Sequence, residues 1–388
     1  MTALAPPNFD AARLRYASRG LLVLWVAAVV VTSLQAGAHH NNNHIIFRTS
    51  WQNLVSGHDL YAASTVHKDY FVYSPTFALL FAPFAVVPFT LGVLLWNAVN
   101  AAALYWGLGR ILTAQGALIA RAVVFLDTVG AMQNVQSNAL LAGLMIIAFA
   151  ELERRREATA ALAVGVGTAI KIFPIIAAVF AVFRPYRLPR FAAWGVVVAT
   201  VLVALPLLAT SPHDLAMQYH SWAAIQSVQS TLRGYSVMEH VHRWLGVAWN
   251  NQVLQAVGVL VLLSPLVQLP HWGSERFRVL FLASVLMFCV LFNHKAESPS
   301  FVIAMAGVAI WFALTRRNAG AWIVFAIVMI GTVLSASDAM PEVLQQRFFE
   351  PYRIKTLPVL LVWIVVQTQL WRNVRTSFGR LPVRDASA

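Results

Sequence analysis

Residues 39–75 read HHNNNHIIFRTSWQNLVSGHDLYAASTVHKDYFVYSP, a long polar segment between apolar runs long enough to cross a membrane. A bilayer core offers no water to backbone or side-chain polar groups. The segment therefore belongs at one membrane surface, and it brings Asp59, Asp69 and five histidines there.

The rest of the chain agrees. Of 388 residues, 59% are hydrophobic and only 11% charged, with a mean hydropathy of +0.67. Soluble domains carry roughly 25% charged residues, so these figures describe an all-α polytopic membrane protein. The net charge of +13 could suggest nucleic acid. The lysines and arginines, however, cluster at the ends of apolar runs, as the positive-inside rule requires, and this argues against a nucleic-acid partner. The single cysteine, Cys289, sits in VLMFCVLF and offers neither a disulfide nor a metal site.

Working outward from residue 39, the run at 20–37 follows Arg13, Arg15 and Arg19, which places a short N-terminal tail (1–19) in the cytoplasm and the 39–75 segment outside. The ending Ala36-Gly37-Ala38 resembles a signal-peptidase site, but the run is long enough to span and is read as an uncleaved first helix. SPTFALLFAPFAVVPF, residues 74–89, is short and broken by Pro75, Pro83 and Pro88, and reads as a re-entrant or juxtamembrane element. Later runs alternate between basic inner loops and polar outer ones. Residues 158–183 are the exception, lying between ERRRE and RPYR, both of which belong to the cytoplasm. A break at Lys171-Ile172-Phe173-Pro174 predicts two short antiparallel helices with Lys171 near the outer turn. The expected whole is a bundle of about 12 transmembrane helices forming a single domain over residues 20–371, with a second cytoplasmic tail at 372–388.

This topology sends ten of the eleven histidines outside, together with most of the buried-looking charge. Ionisable residues in or at membrane spans are costly and mark functional sites. Asp59 in SGHDLY could cap a turn or act as a base. Asp69 precedes the re-entrant element, where a helix N-terminus favours an anion. Asn134, Gln136 and Asn138 form an amide cluster at a helix end, suited to sugar hydroxyls or to capping. Lys171, in mid-hairpin, needs a partner, either a phosphate or an internal carboxylate. His294, Lys295 and Glu297 end a span abruptly in NHKAES. The histidine pairs match no zinc signature. There is no phosphate-cradling glycine loop, no nucleophile elbow and no HExxH motif, so neither a cofactor nor a metal is expected.

SGHDLY, then YSPTFALLFAPF followed by LLWN, then QNVQSNALLAGLMI, AIKIFP and FNHKAES, taken in order from Asn43 to Ser298, resemble the polyprenol-phosphate-sugar-dependent glycosyltransferases of family 87, which have the GT-C architecture. The resemblance implies transfer of a hexose, often mannose, from a polyprenyl-phosphate donor to a lipid or glycan acceptor. Transfer would occur on the extracytoplasmic face of the cell membrane, with inversion and amid membrane lipids. The place where many members carry the catalytic Asp here reads Asn41-Asn42-Asn43-His44, so the base falls to Asp69 or Asp59, or the activity is altered or lost.

The chemistry suits the residues. A phosphate leaving group needs no acid, so one carboxylate suffices, unlike the pair in a glycosidase. Asp69 is the first candidate for base, Asp59 the second and Glu297 a distant third. Lys171 and Lys295 are the cations for the phosphate, and Gln136 and Asn138 the sugar-holding amides. The rival readings are a lipid or solute transporter and an inactive scaffold.

Overall fold

The computed structural model describes residues 11–336 and 340–372, and every regular element among them is helical. In chain order the α-helices are α1 (Ala11–Ala38), α2 (Asn42–Val55), α3 (Pro75–Leu80), α4 (Ala82–Ala85), α5 (Phe89–Ile111), α6 (Ala114–Gln133), α7 (Asn138–Glu153), α8 (Glu157–Ile170) and α9 (Leu188–Ala204). They continue with α10 (Pro212–Val228), α11 (Val237–Leu245), α12 (Asn251–Leu263), α13 (Glu275–Leu291), α14 (Phe301–Leu314), α15 (Ala319–Val328), α16 (Glu342–Leu344) and α17 (Thr356–Arg372). Four described stretches are long and apolar enough to cross a membrane: Ala11–Ala38, Phe89–Ile111, Ala114–Gln133 and Pro185–Leu208. Five shorter apolar stretches accompany them. The expected C-terminal tail lies outside the described residues from position 373 onward, as do the first ten residues of the N-terminal tail.

The chain forms two compact units, one of residues 24–107 and 128–230, the other of residues 108–127 and 231 onward together with the start of α1. In the first unit the polar stretch after α1 folds into α2, capped by Asn41, whose side chain accepts from the backbone N–H groups of Asn43 and His44. Asparagine at this position satisfies donors that the helix itself leaves open. The buried face of α2 carries His44, Ile46, Phe47, Ser50 and Leu54. Phe47 meets Tyr73, Phe77 and Phe81 edge-on at 5.1–5.2 Å between ring centroids. Helices α3 and α4, six and four residues long, are too short to cross a bilayer. They hold the 74–85 segment beneath α2, in keeping with a re-entrant or surface-lying element.

The hairpin expected at 158–183 is present. Helix α8 runs to Ile170, Lys171 is extended, and a 3-10 helix (Phe173–Phe183) returns. Ion pairs tie the two ends of this hairpin away from the Lys171 turn together. Arg187 reaches Glu157 at 2.5 Å, Arg190 reaches the same carboxylate at 3.9 Å, and Arg184 reaches Glu153 at 3.3 Å. Both basic clusters thus gather at one end, and the charge rule is not violated. Close backbone approach sets the packing of α7 on α5: a Cβ on Gly143 would lie 2.5 Å from the Ala103 carbonyl carbon. Small residues are the usual means of such contact between membrane helices.

In the second unit α13 is the core, buried at every residue from Phe277 to Leu291. Gly307 of α14 lets the Ala283 carbonyl come within 2.5 Å of where its Cβ would stand. The polar stretch after residue 210 contains two helices, α10 in the first unit and α11 in the second. Ser211 caps α10 by accepting from Asp214 N–H, so the SPHD motif serves as a helix start.

Candidate functional site

Helices α7 and α8 present the least ordinary contact of the first unit. Lys171 Nζ donates to Asn138 Oδ1 at 2.9 Å and lies 5.7 Å from the centroid of the Tyr73 ring. Asn138 is the first residue of α7 and is buried, and its Nδ2 has no hydrogen-bond partner among the described residues. Helix α8, with 14 residues, is about 21 Å long, and α7, with 16, about 24 Å. The hydrocarbon core is about 30 Å thick. Both helices are thus shorter than that core, and an ionisable side chain at the end of a short membrane helix marks a candidate site.

The three asparagines at 41–43 connect this pair to the first polar loop. Asn41 Nδ2 donates to Gln133 O at 3.1 Å, and Asn43 Nδ2 to Asn134 O at 2.7 Å. Asn42 Nδ2 donates to Asp69 Oδ2 at 2.9 Å, while its Oδ1 accepts from Lys68 N–H. Side-chain bonds from Asn42 and Asn43 thus tie the Asp69 carboxylate and the 134–138 turn to the start of α2, and Asn138, at the end of that turn, holds Lys171. Val135 takes a left-handed φ of 49° in that turn, and Gln136 is buried within it. Sequence reasoning noticed the asparagines only as a departure from a family pattern. Their bridging role, over separations of 27 to 92 residues, leaves no local signal.

One expectation needs correction, and one alternative is resolved. Asp69 does not stand at a helix N-terminus, because α3 begins six residues later and Ser74 is its cap. Asp59 sits in a tight turn: its Oδ1 accepts from Tyr61 N–H at 3.0 Å, and its neighbour Leu60 donates its N–H to Gln218 Oε1. Both carboxylates are exposed.

His294, Lys295 and Glu297 fall in the second unit. His294 Nδ1 lies 3.2 Å from Gln255 Nε2, and burial together with Lys295 lowers its basicity. Lys295 N–H donates to Asn293 Oδ1 at 2.9 Å, and Glu297 N–H to Ser300 Oγ at 3.2 Å. Gly234, at φ 48°, lets Ala296 O approach within 2.4 Å of where a Cβ would stand, and Tyr235 N–H bonds that same carbonyl. Among the described residues no three His, Cys, Asp or Glu side chains come together as a metal site would need. His44 is buried between Phe81 and Phe89, and neither ring nitrogen has a hydrogen-bond partner among the described residues. Burial, followed by the charge of Arg48, pushes its pKa down to about 4.

These features define a helical membrane protein with a lysine–amide centre. The sequence profile described as "Glycosyltransferase family 87" matches residues 71–293, more than half of the chain, and the chain belongs to that family. This bears out the resemblance drawn from its motifs. Among solved structures the chain is similar to ArnT from Cupriavidus metallidurans, in a crystal structure bound to undecaprenyl phosphate. The TM-score is 0.48 at 15% identity, over 90% of this chain and 77% of that one. No curated protein matches the chain.

Proposed function

We propose that the protein transfers a hexose, with mannose favoured, from a polyprenyl-phosphate donor to a lipid or glycan acceptor at the extracytoplasmic face of the cell membrane, with inversion. The observation that carries this reading is that Asn42 and Asn43, side by side, hold the Asp69 carboxylate and the turn leading to the Asn138–Lys171 pair, in a chain of glycosyltransferase family 87. Asp69, held by Asn42 yet open to solvent, takes the proton from the acceptor hydroxyl. As the sugar–phosphate bond breaks, charge grows on the phosphate oxygens. Lys171 neutralises it as a fixed cation. Lys295 is the candidate cation of the second unit, with His294 and Glu297 beside it. Asn134, Gln136 and Asn138 orient sugar hydroxyls. Asp59, engaged in its turn, is the weaker candidate for base.

The test is transfer by purified protein from labelled polyprenyl-phosphate sugars to extracted membrane lipid. A labelled glycolipid is expected. Asp69→Asn should lower its formation by about 10²- to 10⁴-fold, the usual worth of a positioned base. Full activity in both Asp69→Asn and Asp59→Asn would remove the base assignment. Movement of unaltered donor between leaflets, with no new glycolipid, would make the protein a flippase.

A further inference from the structure

Asp127, within α6, and Lys355, one residue ahead of α17, both belong to the second unit and are more than nine-tenths buried. Asp127 Oδ1 lies 3.9 Å from Lys355 Nζ, too far for a hydrogen bond. The other carboxylate oxygen has no hydrogen-bond partner among the described residues. The ammonium donates instead to Ser298 Oγ at 3.0 Å and sits 5.1 Å from the Phe301 ring centroid. The backbone carbonyl of Lys355 accepts from Thr332 Oγ1 at 2.9 Å. One residue therefore joins α6, the 298–301 turn, the helical segment around Thr332 and the start of α17.

Two charges so placed are expensive, and a pair lacking a direct hydrogen bond recovers only part of that cost. Simple stability would be served better by apolar side chains. What the lysine does hold is Ser298, next to Glu297 and three residues after Lys295. The loop is also held by Asn293 Oδ1 on Lys295 N–H, Ser300 Oγ on Glu297 N–H, and Ala296 O on Tyr235 N–H. We propose that Asp127 and Lys355 are positioning residues, a buried charged clamp that fixes the Asn293–Ser300 loop and so the placement of His294, Lys295 and Glu297. Asp127 holds the ammonium from beneath, and the ammonium holds the loop through Ser298.

Hydrogen exchange of the purified full-length protein, read by mass spectrometry, tests the clamp. It needs no substrate, so its outcome is independent of the transferase reading. Asp127→Asn and Lys355→Met should each speed exchange across 293–300 about tenfold while leaving 138–153 in the first unit unchanged. Lys355→Arg, which keeps the charge, should stay near the parent rate. Asp127→Asn combined with Lys355→Met should exchange no faster than Lys355→Met alone, since the hold on Ser298 is already lost there and no charge is left alone. Unchanged exchange at 293–300 in both single variants would overturn the proposal. So would equal acceleration at 138–153, or an Arg variant as fast as the Met one. Should Lys355→Met fail to fold, the near-isosteric Asp127→Asn still gives the reading.

Discussion

Lys171, at the end of α8, donates to Asn138, at the start of α7, at 2.9 Å, so the two helices meet at their buried ends through a cation and a neutral amide. Replacing that amide by a carboxylate separates stability from function. In Asn138→Asp the lysine gains a charge-assisted partner, and the N-terminus of α7 gains an anion that its dipole favours. The thermal midpoint should rise. Transfer from polyprenyl-phosphate sugar should fall at least tenfold, because a carboxylate beside the lysine competes with a phosphate for its charge. Thermal scanning and the glycolipid assay on one preparation check both signs.

Glu157 holds the hairpin closed. Its side chain is 4% exposed and faces Arg187 at 2.5 Å and Arg190 at 3.9 Å. Glu157→Gln leaves two guanidinium groups facing a neutral amide. A loss of about 1.5–3 kcal/mol is expected, the worth of a hydrogen bond to a charged group, because the arginines left behind keep contact with solvent. Arg190→Gln, on the exposed side of the pair, should cost under about 1 kcal/mol. Denaturant unfolding in detergent compares the two.

That hairpin was legible in the sequence because it follows from a conflict. Two basic clusters 30 residues apart cannot lie on opposite sides of the membrane without breaking the charge rule, and a proline marks the place to fold back. The apolar runs were equally plain. The asparagine bridges were not, because a side-chain amide carries no periodicity and its partner can lie anywhere. Asp127 is a different case. A carboxylate within AVVFLDTVG obeys the same logic that singled out Lys171, yet its partner Lys355 sits in a polar loop where nothing marks it as buried. Helices α10 and α11 leave no plain mark in the sequence, because α10 segregates no apolar face and α11 is only nine residues long.

His44 makes the fold sensitive to acid. Its pKa is about 4 in the folded protein and about 6.5 when unfolded, so between those values protons bind the unfolded chain preferentially. Stability should be level above pH 6.5, fall as the pH drops toward 4, and level off below. At about 1.4 kcal/mol per unit, the loss is on the order of 3 kcal/mol. His44→Phe places an apolar ring among Phe81 and Phe89 and removes two nitrogens that lack partners among the described residues. This component of the pH profile should vanish, with stability at pH 7 equal to or above the parent. Unfolding midpoints measured from pH 7 to pH 4 decide it.

Gly143 links packing to the candidate site. A methyl group there would stand 2.5 Å from the Ala103 carbonyl carbon and 2.7 Å from its oxygen, both backbone atoms of α5 that cannot rotate away. Gly143→Ala must push α7 off α5, at about 1–3 kcal/mol for an overpacked contact. Asn138 lies five residues earlier on the same helix, and Asn100 Oδ1 on α5 accepts from Leu140 N–H at 2.9 Å. The displacement therefore reaches the end of α7 that meets Lys171. Both thermal stability and transfer should fall. Gly130→Ala on α6, where nothing lies within 4 Å of the added carbon, should leave both unchanged. A stability loss in Gly143→Ala with transfer per folded molecule intact would show that the start of α7 is not part of the site.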